Sequence, residues 1–466
     1  MEKLLFIGKV LKIKINKGQI MKVKQFKIGV VSLIGTFLII QSANALDELD
    51  NAIEKDYPYL EALYKHLHQN PELSYYEKES SKRMATELRS VGFDVTENVG
   101  GYGIVGVLKN GEGPTVMIRA DMDALPVKEV SGVPYPSLVT TVDDLGKTVP
   151  VMHACGHDVH MTVFVGTARR LVALKDTWKG TLVMVGQPAE ERSGGARAML
   201  GDGLFEKYPK PDYNIGLHTS ASLPAGHIGY VKGWAMASVD SVDIKVHGIG
   251  GHGAYPHATK DPIIVAAQIV SSLQTLISRE TSPLDSGVVT VGSIHGGFKH
   301  NIISDQVDLQ LTVRSYSDKV RENLLSGIER ISKNIARANG LPENLLPEVN
   351  IPRDEYTPSL YNTPELADRI VNVITNKGSS LGVHEVEPVM AGEDFARYGR
   401  TEDKIPTLLL WLGGVEPEKY EASLRGDITL PSLHSPFFAP LPEPTLKVGV
   451  NTMVISALEL LGELVS

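Results

Sequence analysis

The chain contains a single cysteine, Cys155, among its 466 residues. One thiol excludes any disulfide within the chain. Low-complexity tracts are also absent and 42% of the residues are hydrophobic, so the sequence can bury a full core and is not disordered. No internal repeat is evident. The length exceeds the usual size of a single core and therefore favours two domains.

Long hydrophobic runs are missing as well. The apolar run Ile28–Ile40 follows several lysines and precedes the small-residue sequence Ala43-Asn44-Ala45. It is short for a membrane span of about 20 residues. The order predicts a secretory signal peptide from Met21 that is cleaved after Ala45, preceded by an upstream start extension, and hence a periplasmic or secreted protein. An uncleaved N-terminal anchor is the alternative.

Positive charge is scarce in the remaining chain. Removal of residues 1–45 takes away eight lysines and one glutamate, so the formal charge moves from −9 to about −16. No basic stripe occurs elsewhere, which argues against nucleic-acid binding. A lone thiol in an oxidising compartment is either buried or bound to metal, and the nearby His157 favours metal for Cys155.

Apolar spacing predicts alternating helices and strands up to about residue 230. This order implies a largely parallel α/β sheet. The predicted helices are Asn51–Leu67, Tyr76–Val91 and Met161–Leu174, and the predicted strands are Ile104–Leu108, Thr115–Ile118, Thr181–Val185 and Asn214–Leu217.

The pattern changes after Gly233 to strand, helix, two strands, helix, strand. This βαββαβ order, over roughly 115 residues, is typical of a ferredoxin-like domain inserted into the α/β domain. Its elements are Ser238–Val246, Pro262–Arg279, Val288–Ser293, Gln306–Arg314, Val320–Asn339 and Pro347–Ile351.

The α/β pattern resumes after Tyr356 with a helix, a strand and a final helix: Pro364–Lys377, Thr407–Leu412 and Pro444–Leu464. The sequence therefore predicts an α/β domain built from residues 46–235 and 357–466, interrupted by a smaller lid domain at 236–356.

Residues with metal chemistry occur in loops after the predicted strands, where open α/β sheets bind ligands. In His153-Ala-Cys155-Gly-His157, the thiol and the imidazole can converge on one ion because Gly156 permits a tight backbone. An incidental buried cysteine beside a surface histidine is the alternative. His160 is expected to pack behind the ligands.

Adjacent carboxylates follow the next strand in Gln187-Pro-Ala-Glu190-Glu191. Such side chains point apart, so one can bind metal while the other accepts a proton from metal-bound water. An exposed acidic cap before a helix at Ala196–Leu200 is the alternative. Asp121 and Asp123 share one direction only if their loop is extended, and a solvated acidic turn is the alternative.

Two isolated histidines complete the candidate site. His218 follows a predicted strand, and His434 lies in Leu433-His434-Ser435-Pro436. Each by itself is more often a structural residue than a ligand. Together with the cysteine, histidine and glutamate above, they would complete a site for two ions.

Seven motifs, taken in their order along the chain, make the sequence resemble one branch of the aminoacylase and carboxypeptidase metallopeptidases. This branch contains the hippurate hydrolases and the auxin-conjugate (IAA-amino acid) hydrolases. The resemblance covers residues 50–464 and implies a zinc-peptidase-like α/β domain with a lid. The motifs are Arg119–Pro126, Met152–Asp158, Gln187–Glu191, Gly216–His218, Gly250–His257, Ala391–Phe395 and Leu433–Phe437.

The resemblance implies a role for each site residue. Two divalent ions, Mn²⁺ or Zn²⁺, would be held by Cys155, His157, Glu191, His218 and His434, with the cysteine as the bridge. Glu190 would be the general base, and His252 would reach the partner subunit's site and steady the oxyanion. Asn301 and Arg314 would bind the substrate's carboxylate and Gly392 would line its amide, with Asp121, Asp123 and Asp158 behind the ligands.

Some alternatives remain open at this point. Arg314 alternates with Thr312 on a predicted strand and could form a surface ion pair instead. Relatives that process peptides begin with His-x-Asp where this chain has Asp121-Met-Asp123, so that first ligand is expected to be absent. Ser304 stands where the family pattern has proline, a change expected to be harmless.

The sequence thus predicts a dinuclear metal amidohydrolase acting on N-acyl amino acids. The expected state is a homodimer paired through the lid, with a small-molecule substrate and no stable membrane association after signal cleavage. The competing hypotheses are an exported exopeptidase for dipeptides or cell-wall fragments, and a non-catalytic metal-dependent binder of acylated amino acids.

Overall fold

The computed structural model describes residues 48–377 and 382–462. The predicted signal peptide lies outside these residues. From Ile53 onward, the described residues group into one compact unit. In the described part of the chain, no helix combines the length and apolar character needed to cross a membrane.

Eleven α-helices are described. They are α1 (residues 48–69), α2 (Lys78–Ser90), α3 (His157–Ala173), α4 (Gly195–Gly201), α5 (Leu204–Lys207), α6 (Pro262–Thr275), α7 (Asp318–Ala338), α8 (Pro364–Lys377), α9 (Ala396–Gly399), α10 (Pro417–Leu424) and α11 (Pro442–Leu461).

The described strands are β1 (Asp94–Val99), β2 (Gly103–Asn110), β3 (Thr115–Asp121), β4 (Thr140–Val142), β5 (Thr148–Pro150), β6 (Gly180–Gln187), β7 (Tyr213–Pro224), β8 (His227–Tyr230), β9 (Gly233–Met236), β10 (Ser238–His247), β11 (Gly251–His252), β12 (Gly287–Gly296), β13 (Ile302–Ile303), β14 (Gln306–Ser315), β15 (Glu348–Asn350), β16 (Leu360–Asn362), β17 (Gly382–Glu385) and β18 (Thr407–Val415).

An eight-stranded sheet forms the larger domain, in the order β1-β2-β6-β3-β7-β18-β8-β17. The four central strands β6, β3, β7 and β18 are parallel, whereas β1, β2 and β6 pair antiparallel and β8 runs antiparallel to β18. The central strands are buried on both faces, which explains their continuous apolar runs. The predicted parallel sheet is therefore its centre, and the edges are mixed.

A separate four-stranded antiparallel sheet forms the lid, in the order β12-β14-β10-β15. Helices α6 and α7 bury one apolar face each against it, through residues such as Ile269 and Leu273 of α6 and Leu324 and Ile328 of α7. This is the ferredoxin-like order predicted from the sequence. The fold class, a two-segment α/β domain with an inserted lid, is confirmed, while the residue-level boundaries between the domains stay predictions.

Helices α3 and α11 pack against each other beneath the parallel strands. A glycine at their contact, Gly166 of α3, has no room for a side chain, because a Cβ there would lie 2.5 Å from a methyl carbon of Val450 and 3.3 Å from one of Leu60. Close approach of the two helices therefore depends on this glycine.

We expect Gly166→Ala to lower the stability of the folded protein by about 1–3 kcal/mol, because the added methyl overpacks the contact with Val450. The matched control is Gly201→Ala, a helical glycine whose Cβ would meet no atom within 4 Å. Chemical denaturation compares the two variants with the parent. Equal stability of Gly166→Ala and the parent would contradict the packing account.

Candidate active site

The candidate residues meet at the carboxyl ends of the parallel strands. Asp121 ends β3, the segment with Glu190 and Glu191 follows β6, and His218 lies on β7. Cys155 and His157 come from the start of α3, where Gly156 takes a left-handed φ of 81° and a Cβ would lie 2.5 Å from Thr219 Oγ1. His434 comes from the loop between α10 and α11.

Cys155 lies at the centre of two overlapping groups of potential ligands. One group contains Cys155, His157 and His218, and the other contains Cys155, Glu191 and His434, with the ligand atoms of each group within 4.8 Å of one another. The Sγ atom is 3.5 Å from His218 Nε2 and 3.3 Å from His434 Nε2. The five residues far apart in the sequence are thus brought together around one thiol.

Hydrogen bonds fix the direction of the two buried imidazoles. His157 Nδ1 donates to the carbonyl oxygen of Asp123 at 2.7 Å, and His218 Nδ1 donates to that of Thr219 at 2.8 Å. The Nε2 atom of each ring is thereby left for a metal, which binds the neutral imidazole.

Buried polar atoms that lack a hydrogen-bond partner indicate whether the five candidate ligands fit a metal. Among the described residues, His157 Nε2 and Glu191 Oε1 are buried and have no hydrogen-bond partner. Buried polar atoms are costly to leave unpaired, and these two lie 3.9 Å apart and face the same space. A thiol, three imidazoles and a carboxylate are suitable ligands for divalent transition metals, so the residues fit the expected ions.

Asp123 holds the turn that carries both glutamates. Its carboxylate accepts hydrogen bonds from the backbone N–H of Glu190 at 3.1 Å, from that of Glu191 at 3.0 Å and from Ser74 Oγ at 2.6 Å. Asp121 binds His160 Nδ1 at 2.6 Å. Both aspartates are fully buried, which excludes the solvated acidic turn as an interpretation of this motif. The exposed acidic cap is excluded too, because Glu190 is buried.

A buried charge network continues behind Asp121. Arg119 donates to Asp121 at 2.6 Å, to Glu393 at 2.8 Å and to Asp394 at 3.2 Å, and Gln187 donates to Asp394 at 2.6 Å. No role was predicted from the sequence for Arg119, Gln187, Glu393 or Asp394. Their presence in the motifs Arg119–Pro126, Gln187–Glu191 and Ala391–Phe395 was the available signal, since a charged residue within a buried strand needs a partner.

The electrostatics of the pair of glutamates depend on burial. Burial raises the pKa of Glu190 well above its usual range, and the carboxylates of Glu393, Glu191 and Asp394 raise it further. Burial likewise raises the pKa of Glu191 to about 7. Nearby cations would offset this effect and favour the charged carboxylates.

An open cavity of about 440 Å³ lies beside the thiol. Besides both glutamates, its lining includes Arg314 of the lid strand β14 and Gly392. Arg314 donates to the carbonyl oxygen of Met390 at 2.7 Å, so it is not the surface ion pair considered from the sequence. The large domain and the lid therefore both contribute to this cavity.

The remaining predicted residues lie elsewhere. His252 and Asn301 are exposed on the small β11-β13 sheet and its adjoining loop, and neither lines the cavity of its own chain. Asp158 points away from the ligands, with its carboxylate 2.6 Å from His68 Nδ1. Burial opposes charge on His68, but Asp158 and Glu129 outweigh it and raise the pKa of His68 to about 10.

The comparisons with known proteins agree with this geometry. Peptidase family M20/M25/M40 matches residues 117–427, well over half of the chain. The hippurate hydrolase of Campylobacter jejuni is 37% identical over 72% of this chain and 83% of its own length. An IAA-amino acid hydrolase of Arabidopsis thaliana is 33% identical over 93% of this chain and 94% of its own.

A solved structure is similar throughout. It is a Bacillus subtilis protein described as a dinuclear metal binding peptidase from the M20 family. The two structures superpose with a TM-score of 0.71 at 29% identity, and the match covers 88% of this chain and 100% of that one. The resemblance deduced from the seven motifs is therefore confirmed. The chain belongs to peptidase family M20/M25/M40, and it is a metal-dependent amidohydrolase of that family.

Proposed function

We propose that the protein hydrolyses the amide bond of N-acyl amino acids at a site for two divalent ions. The observation that carries the proposal is the position of Cys155, which is shared by two groups of ligands, with Glu190 on the adjoining wall of the cavity. The printed names of the hippurate and IAA-amino acid hydrolases support the substrate class.

The protein's own groups divide the work of the reaction. Arg314 offers a planar cation suited to the substrate's carboxylate at the lid side of the cavity. When bound, the ions would polarise the carbonyl group and lower the pKa of water. Glu190 takes the proton from the attacking water and passes it to the leaving nitrogen, so that an acid and a free amino acid are released.

The oxyanion formed during hydrolysis needs a hydrogen-bond donor, and the histidine expected in that role does not line the cavity of its own chain. His252 is exposed and lies outside that cavity. We propose that it serves the partner subunit of a homodimer paired through the lid, together with Asn301. Two further parts of the proposal are an exported location, based on residues 21–45, and Mn²⁺ or Zn²⁺ as the metal.

A second candidate is an exopeptidase acting on dipeptides. The name of the Bacillus subtilis structure, a dinuclear metal binding peptidase, favours it. Assays of N-benzoyl and N-acetyl amino acids against dipeptides, with Mn²⁺ or Zn²⁺ added, distinguish the two activities. Faster hydrolysis of the dipeptides would replace the first proposal by the second.

Glu190→Gln is expected to lower kcat by about 100- to 10,000-fold, because the amide cannot accept the proton from water. Metal content should not change, since Glu191 is retained. Glu418→Gln on α10, whose side chain lies away from the cavity lining, is the control. Steady-state kinetics and metal analysis measure both quantities. Substantial residual kcat in Glu190→Gln would refute its role as the base.

Cys155→Ala should lose both ions, whereas His434→Ala should lose one, because the thiol belongs to both ligand groups and His434 to only one of them. Metal per subunit is measured by elemental analysis after dialysis against metal-free buffer. His257→Ala, an exposed histidine of the lid, is the control. Retention of two ions by Cys155→Ala would show that the thiol is no bridge.

The role of His252 in the partner's site predicts complementation. Mixing the inactive variants His252→Ala and Glu190→Gln should restore activity, because one site of each mixed dimer then has both residues intact. With random exchange, about a quarter of all sites would be active. Activity is measured after subunit exchange, with each variant alone as the control. No recovery, with exchange demonstrated by a tagged subunit, would contradict the shared site.

A further inference from the structure

The turn that carries Glu190 and Glu191 has an unfavourable backbone conformation. Ala189, directly before the first glutamate, has a φ of 48°, and Ser193 has a φ of 53°. Residues with a Cβ rarely adopt the left-handed region, and they persist there only where the surrounding structure holds them. The direction in which the backbone enters Glu190 therefore depends on contacts from outside the turn.

Two buried carboxylates hold three consecutive N–H groups of this turn. Asp123 accepts from the amides of Glu190 and Glu191, as described above. The amide of Ala189 donates instead to Glu77 Oε1 at 2.7 Å. Glu77 lies 112 positions earlier in the chain, at the start of α2, and it is not among the residues that line the cavity.

The side chain of Glu77 serves this turn and not its own helix. Glu77 occupies the N-cap position of α2, yet its side chain makes no capping hydrogen bond. Its Oε1 accepts from the amides of Ala189 and of Tyr75, the latter at 2.9 Å. Glu77 is 0% exposed, and in the described part of the chain its Oε2 has no hydrogen-bond partner. Burying a carboxyl group is unfavourable. Since Glu77 makes no capping hydrogen bond, helix capping does not explain why it is buried here.

The residue two positions before Glu77 also packs against the turn. Tyr75 has a φ of 70°, and its hydroxyl lies so close to Gly194 that a Cβ there would be 2.0 Å away. Two segments with left-handed residues thus face each other, and Glu77 is hydrogen-bonded to both of them. Strained residues cluster in this way where geometry matters for function.

We propose that Glu77 is a positioning residue for Glu190. By binding the amide of Ala189, it holds the left-handed turn and so fixes where the carboxylate of Glu190 meets the substrate and water. This inference rests on the proposed role of Glu190 as the base. Because Asp123 holds the next two amides independently, Glu191 keeps its place as a ligand when Glu77 is removed.

The first experiment compares Glu77→Ala with Glu77→Gln. We expect Glu77→Ala to lower kcat about tenfold or more, with KM and metal content unchanged, since small displacements of a catalytic group are costly. Glu77→Gln keeps an oxygen that accepts the amide and should retain most of the activity. Glu79→Ala, on the same helix and with a side chain 67% exposed, is the control. Unchanged kcat in Glu77→Ala would overturn the proposal.

The second experiment separates positioning from stability. Glycine adopts a positive φ without penalty, so adding Ala189→Gly to Glu77→Ala should recover part of the lost kcat. A role confined to stabilising α2 predicts no recovery, and loss of metal together with activity would also overturn the proposal. If Glu77→Ala does not fold, Glu77→Asp, which withdraws the carboxylate by one methylene, takes its place.

Hydrogen exchange tests the contact without any assay of activity. The amides of residues 189–191 are expected to be protected in the wild type, and that of Ala189 should exchange faster in Glu77→Ala while those of Glu190 and Glu191 change little. Equal exchange rates of the Ala189 amide in both proteins would refute the proposed hydrogen bond to Glu77. A wild type that hydrolyses no amide, with this exchange pattern intact, would refute the proposed function and leave the contact established.

Discussion

The site depends on a single buried aspartate, Asp123. Its carboxylate accepts hydrogen bonds from two consecutive backbone amides, those of Glu190 and Glu191, and from a hydroxyl group. Its backbone carbonyl oxygen accepts a hydrogen bond from His157 Nδ1 and so orients that ring. One residue thereby aligns a candidate metal ligand from α3 with two carboxylates that follow the end of β6. Such contacts behind the ligands set the orientation and basicity of a metal site.

The carboxylates of the site are buried, which is unfavourable unless positive charge lies nearby. Arg119 balances part of the negative charge through Asp121, Glu393 and Asp394, all of them buried. Burial and the neighbouring carboxylates nevertheless raise the pKa of Glu190 well above its usual range. Cations at the thiol would complete the balance, so ion binding and the protonation state of Glu190 are coupled through the same charges.

The lid contributes part of the cavity wall. Val239 from β10 and Arg314 from β14 line the same cavity as the candidate ligands, and a Cβ at Gly392 would lie only 2.6 Å from a Val239 methyl carbon. The candidate ligands are thus held near the ends of the parallel strands, while the shape of the cavity also depends on a second domain. This division is common where one fold serves several substrates.

The sequence by itself determined the types of the candidate ligands, their order and the main elements that carry them, because metal ligands need particular side chains and buried strands need apolar runs. Strand β1 was not predicted, since its polar residues alternate with few apolar ones and lie on a half-exposed edge. Only the tertiary structure decided which atoms meet: Cys155 and His434 are 279 positions apart, and Glu77 and Ala189 are 112 apart. Local patterns set the direction of a side chain within its own element, whereas contacts between elements arise from packing of the whole chain.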